Sequence, residues 1–96
     1  MSVDFKDALG KRIKGIIVKK NEEPDSSPKA QFFMVLEDDS IFEIYTQSGF
    51  GFSDRLGQGG MEKVRHYLNP PMDIVCDISL ADDGTIETRV SNGFFG

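Results

Sequence analysis

Few residues in this chain could support covalent or metal chemistry. It contains one cysteine, Cys76, and one histidine, His66, which fall in different predicted elements. A single cysteine excludes an internal disulfide, and a zinc site usually needs three or four nitrogen or sulfur ligands. The chain also has no tryptophan and no apolar run near the ~20 residues that span a bilayer. We therefore predict no metal site, no cofactor and no membrane contact.

Positive charge is scarce as well. The 96 residues carry a formal net charge of −5, and residues 21–47 contain seven acidic residues and one basic residue. A nucleic-acid-binding surface needs a positive face that displaces counterions, so this balance argues against nucleic acid. The basic residues of segment 11–20 read as a solvated strand edge, with a small anion-docking patch as the alternative. The first residues contain no apolar run typical of a secretory signal, and we expect a cytoplasmic protein.

The usual components of a catalytic centre are also missing. Nucleophilic catalysis needs a nucleophile, a base and a group that orients the base. Cys76 alternates with Ile74 and Ile78 on a predicted core face, which indicates a buried and inert thiol. His66 lies on the flank of a predicted helix, either as a surface residue or as a general base or polar contact beside Arg65 and Tyr67. We assign no catalytic residue, and the pattern favours a binding protein over an enzyme.

What the chain does contain is the alternating pattern of a small β-sheet domain. Branched and aromatic runs predict strands, and Asp38-Asp39-Ser40 predicts a hairpin turn between two of them. Gly15 within the first strand indicates a bulge or a close approach of another segment. A helix is predicted where Met61, Val64 and Leu68 recur at helical spacing. In the strand after it, we expect Cys76, Ile78 and Leu80 to point inward and Asp77 outward. The predicted strands lie in residues 12–20, 30–37, 41–46, 72–80 and 85–90.

These elements predict one α+β domain over residues 1–96. We expect five mostly antiparallel strands, a three-strand meander plus a C-terminal hairpin, that form a curved sheet or a small barrel. One helix lies between the third and fourth strands, a short helix lies within residues 1–10, and residues 91–96 form a loose tail. This order resembles the OB-fold, a five-stranded barrel, and a resemblance of topology implies no particular function.

The most distinctive stretch is residues 48–60, in which five of thirteen residues are glycine. Gly49-Phe50-Gly51-Phe52 resembles the aromatic strand of the RNA-recognition motif. Ser48 replaces the basic residue which that motif requires, and Arg55 stands where its last ring should be, so the resemblance does not indicate RNA binding. Glycines before a helix can also bind phosphate, but no Lys-Ser/Thr pair follows them here.

Surface recognition is the function that remains. Two rings on a glycine-rich loop either fold back on the core or form a contact surface, because exposed apolar patches mark interaction sites. We predict a protein-binding domain whose partner is another protein or a second copy, in a homodimer. A small-molecule pocket between the sheet and the Gly-rich loop, and an acidic mimic that blocks a basic site, are the alternatives. The predicted contact residues are Phe50, Phe52, Asp54, Arg55, Arg65 and His66.

Overall fold

The computed structural model of the chain describes residues 5–20, 30–46, 50–67 and 73–91. Within these ranges the chain forms a short 3₁₀ helix, six strands and one α-helix. None of the helices in these ranges has the length and apolar character needed to cross a membrane. In chain order the elements are the 3₁₀ helix Phe5–Ala8, β1 Ile13–Lys20, β2 Ala30–Leu36, β3 Ile41–Thr46, β4 Phe50–Ser53, α1 Gly60–His66, β5 Asp73–Leu80 and β6 Ile86–Ser91.

All six strands belong to one antiparallel sheet with the order β4-β3-β2-β1-β5-β6. The α+β class and the C-terminal hairpin are confirmed. The predictions of five strands and of a small barrel are wrong. The strand that was not predicted is β4, which residues 50–53 form by pairing with β3. β1 occupies the middle of the sheet, and β4 and β6 end it on opposite sides, so the sheet is open and the helix follows the fourth strand.

Gly15 lies under the side chain of Met61, a residue of α1. The pairing of β1 with β2 shifts register between Ile13 and Gly15. A Cβ atom at residue 15 would overlap the Sδ atom of Met61, on the first turn of α1. Both features predicted for this glycine, a bulge and a close approach, are therefore present.

The sheet has a helix face and an outer face. On the helix face, α1 packs against β1 and β2 over a cluster of buried apolar side chains. The outer face is the opposite one, and the described ranges contain no second α-helix or second sheet to cover it. The buried cluster under α1 comprises Ile17, Phe33, Val35, Ile41, Leu56 and Val64.

The polarity expected for β5 is reversed. Asp77 is 2 % exposed on the helix face, where it lies opposite Ile17, whereas Leu80 is 43 % exposed. Cys76 and Ile78 pair with Val18 and Ile16 on the outer face. Ile74, expected on the same side as Cys76, instead packs on the helix face, because the pairing of β1 with β5 shifts register between Val18 and Lys19. Strand periodicity therefore holds from Cys76 onward, with the helix on the other side, and fails at the irregularity before it.

Candidate functional site

The six predicted contact residues lie on different parts of the molecule. Phe52 is on the outer face and is 53 % exposed. Asp54 and Arg55 follow β4, and Arg65 and His66 are in the last turn of α1. Residue 50 begins β4, and the position of its side chain lies outside the described part of the structure.

Arg55 reaches from the turn after β4 to a buried carboxylate. Its Nε atom lies 3.1 Å from Oε1 of Glu43, and its terminal nitrogen donates to Oε2 of Glu43 at 3.1 Å. The guanidinium carbon stands 5.6 Å from the centre of the Tyr67 ring, within the range of a cation–π contact. Glu43 is 1 % exposed, so Arg55 supplies much of its charge compensation from the surface.

Arg65 is held by a second buried carboxylate. Its Nε and one terminal nitrogen donate to the two oxygens of Asp77 at 2.7 and 3.0 Å, and its other terminal nitrogen donates to Glu62 at 2.6 Å. The hydrogen bond to Asp77 raises the pKa of the Arg65 guanidinium. Arg65 therefore fastens α1 to β5. His66 is different: its side chain is 78 % exposed, with Nδ1 2.9 Å from the carbonyl oxygen of Glu62.

Lys19 is the residue whose position differs most from expectation. It was predicted on a solvated strand edge and is instead completely buried on the helix face. Its ammonium group donates to the carbonyl oxygen of Tyr67 and, at 3.4 Å, to that of Arg65. These are carbonyl groups at the end of α1, where a positive charge is favourable. Burial lowers the pKa of Lys19 from 10.5 to about 8.

Gln31 completes a polar cluster on the helix face. Its amide nitrogen donates to Oε2 of Glu43 at 2.5 Å, and it is 0 % exposed. Its Oε1 atom accepts no hydrogen bond from the described residues. Sequence reasoning missed Lys19, Gln31, Glu43 and Asp77 as buried residues. Parity with Ile17 and Phe33 along β1 and β2 was the signal available for Lys19 and Gln31.

The backbone amides of the glycines at the start of α1 are hydrogen-bonded within the protein. The amides of Gly59 and Gly60 both donate to the carbonyl oxygen of Asp39 at 3.2 Å. A Cβ atom at residue 60 would lie 2.8 Å from Oδ1 of Asp39. This loop therefore encloses the β2–β3 turn, and its amides do not converge on an open phosphate site.

A groove of ≈ 300 Å³ lies beside the same loop. Lys11 donates to Asp38 at 2.6 Å in its wall, and this contact holds the pKa of the Asp38 carboxyl well below its usual range. In the residues that the structure describes, no three His, Cys, Asp or Glu side chains cluster closely enough to hold a metal ion. The groove is lined by Asp7, Lys11, Asp38, Ser40, Ile41, Phe42, Asp54, Gly57 and Gln58.

The outer face carries two apolar rows that run across the strands. Opposite residues in neighbouring strands share a face, so the pairing register defines each row. The first row crosses four strands and the second crosses five. Members of the second row range from 8 % exposed at Val18 to 53 % at Phe52. The first row is Ile78, Ile16, Met34 and Phe42, and the second is Cys76, Val18, Phe32, Ile44 and Phe52.

No protein-family model, characterised protein or solved structure matches this chain. A functional proposal therefore depends on the geometry of the outer face and of β4.

Proposed function

We propose that this chain is a protein-binding domain whose binding surface is the outer face of the sheet together with β4. The observation that carries the proposal is the pair of apolar rows opposite α1. An antiparallel sheet that is covered on one side usually presents polar side chains on the other. Here the rows are apolar, and although Val18, Cys76 and Phe42 are buried, the β4 end of the second row leaves Phe52 53 % exposed. An exposed apolar patch of this kind is typical of a surface that another molecule covers.

The Gly/Phe stretch contributes one strand to this surface. Phe52 lies opposite Ile44, so β4 extends the second row to the edge of the sheet. Arg65 is left out of the proposed surface because its guanidinium is bonded to Asp77 on the other face. A protein is favoured over a lipid surface as the occupant, since a net charge of −5 is repelled by anionic membranes.

Site-specific photo-crosslinking tests the proposal. A benzophenone amino acid replaces Phe52 in one version of the chain and Glu87, exposed on β6, in the other. We expect position 52 to give a discrete crosslinked protein and position 87 to give none. Ile44→Thr, which interrupts the second row beside Phe52, should remove that product, whereas Glu87→Thr, on the helix-face side of β6, should leave it.

Equal crosslinking at both positions, or a product that survives Ile44→Thr, would contradict the proposal. Circular dichroism of each variant establishes that the fold is retained. The mass of the crosslinked product shows whether the partner is another protein or a second copy.

A small-molecule site is the second candidate, and the groove beside Gly57 and Gln58 favours it. Three of the groove's side chains are carboxylates, which favours a small cation over phosphate. Titration with a small amine should then shift the amide resonances of Gly57 and Gln58 in NMR spectra, and unchanged resonances would exclude this site.

A further inference from the structure

We infer that the partner at β4 is a second copy of this chain, joined by antiparallel pairing of β4 with β4 of the other copy, with Gly51 on the twofold axis. The inference rests on the proposed function and names its partner. The result is one continuous sheet with β4 and its counterpart at the centre.

The two edges of the sheet differ in how open they are to pairing. An edge strand presents unpaired backbone groups, and charges and bulges on natural edges prevent unwanted pairing. β6 has both: Glu87 and Arg89 are exposed, and its pairing with β5 shifts register between Asp77 and Ile78. β4 pairs with β3 in unbroken register, and residues 47–53 contain no charged residue and no proline. The uncharged edge is the one that a second acidic copy can approach.

The sequence around Gly51 is self-complementary. A twofold axis through an antiparallel pair makes every contact occur twice, and residues equidistant from the axis lie opposite each other. With Gly51 on the axis, Phe50 of each copy is opposite Phe52 of the other. Aromatic residues in directly opposite positions form favourable cross-strand pairs.

The helix face supports the same register. The ring of Tyr45 lies over Gly51, and a Cβ atom at residue 51 would overlap its ring carbons. A glycine at the axis keeps both backbones free of side chains there, while the two Tyr45 rings flank the axis. Paired copies therefore join their outer faces without a break, and the second row of each continues into the phenylalanine pairs.

Sedimentation analysis tests the inference with two matched lysine substitutions. We expect the wild-type chain to reach twice its monomer mass of 10.7 kDa as its concentration rises. Phe52→Lys places a charge on β4 and should give the monomer, whereas Ile86→Lys, on the opposite edge, should leave the dimer. A wild-type chain that stays monomeric up to roughly 1 mM overturns the inference, as does dissociation by Ile86→Lys alone.

Disulfide trapping tests the register independently of those variants. In a Cys76→Ala background, Phe50→Cys and Phe52→Cys chains are prepared separately and mixed. Opposite residues are close enough for a disulfide, while identical residues of the two copies are offset by two positions and are too far apart. The mixture should form a disulfide-linked dimer and each chain alone should not. Crosslinking of either chain alone to the same extent overturns the register.

The two proposals fail in different ways. A monomeric chain that still crosslinks another protein from position 52, with loss of the product in Ile44→Thr, overturns the second-copy inference and keeps the outer face as a binding surface. In the other case, the disulfide forms in the Gly51 register and Ile44→Thr leaves the dimer unchanged. That result supports edge pairing and shows that the outer face is not part of the interface.

Discussion

The two faces of the sheet are built in opposite ways. The helix face lies under α1 and contains Lys19, Gln31, Glu43 and Asp77 as buried polar side chains. The outer face carries two apolar rows, and no second α-helix or sheet in the described ranges covers it. Both faces carry apolar clusters, and the helix face differs in that it also holds these four buried polar side chains.

The difference shows what each face is suited to do. Buried charges are tolerated only when they are paired, and the partners here come from α1 and from the turn after β4. The helix face is thus a closed network that fixes α1 on the sheet. The apolar rows need no such partners inside the chain, and their burial by another molecule is favourable. The helix face therefore provides structural support, and the exposed end of the outer face at Phe52 is the part that we propose for recognition.

The largest expected effect comes from breaking the network on the helix face. Arg65→Met removes the main charge partner of Asp77, which is 2 % exposed. An unpaired buried carboxylate costs about 3–5 kcal/mol, so we expect a fall of that size in the free energy of unfolding. Urea denaturation followed by circular dichroism measures it.

The control is removal of both charges. Arg65→Met/Asp77→Leu leaves no buried carboxylate and should recover most of the lost stability. Glu62→Gln removes the other, exposed partner of Arg65 and should change stability by about 0.5 kcal/mol or less. A double variant as unstable as Arg65→Met would show that side-chain packing, and not charge, connects α1 to β5.

The second effect concerns the spacing between α1 and the sheet. Gly15→Ala adds a methyl group where the flexible end of the Met61 side chain lies, and because that end can move aside we expect a cost of about 1 kcal/mol, the lower end of the range for overpacking. Met61→Ala removes the obstructing side chain, so the double variant should be more stable than the two single losses predict. A double-mutant cycle measures this coupling. Additive losses would mean that α1 does not rest on Gly15.

The hairpins could be predicted from the sequence because their signals are local. Asp38-Asp39-Ser40 separates two apolar runs, and the structure pairs those runs as β2 and β3. β4 could not be predicted in this way, since a four-residue segment with a central glycine in a glycine-rich stretch is typical of a loop. The ring of Tyr45 over Gly51 fills the space of the missing side chain, and such a contact depends on a pairing that local sequence does not reveal.

The candidate site shows the same limit. The sequence left open whether Phe52 folds back on the core or forms a contact surface, and in the structure its side chain lies on the outer face, 53 % exposed. Lys19 and Asp77 were assigned to solvent because both are charged. Their burial depends on Tyr67 and Arg65, which reach them from another element. Periodicity separates the two sides of a strand, but it does not say which side a helix will cover.

The pH dependence of the stability tests the buried charge on the helix face, which has no counterpart in the apolar rows. The pKa of Lys19 is about 8 in the folded chain against an ordinary value of 10.5. Between pH 8 and pH 10.5 Lys19 is protonated in the unfolded chain and largely neutral in the folded chain. The free energy of unfolding should therefore rise with pH over this range. Below pH 8 Lys19 is charged in both states, and the full cost of burying its charge lowers the stability. Lys19→Met should lose that rise. Equal slopes for both chains in urea denaturation across this range would contradict the lowered pKa.

The smallest expected effect lies on the outer face. Phe52 is 53 % exposed, so Phe52→Ser should lower the stability of dilute protein by about 1 kcal/mol or less. Pairing of β4 strands would stabilise the folded wild-type chain by mass action, and its melting temperature should rise with protein concentration. The Phe52→Ser chain should lack this rise, so the difference between the two chains widens as both are concentrated. A loss of about 3 kcal/mol or more in dilute protein would instead place the ring in the core, as expected for a buried phenylalanine.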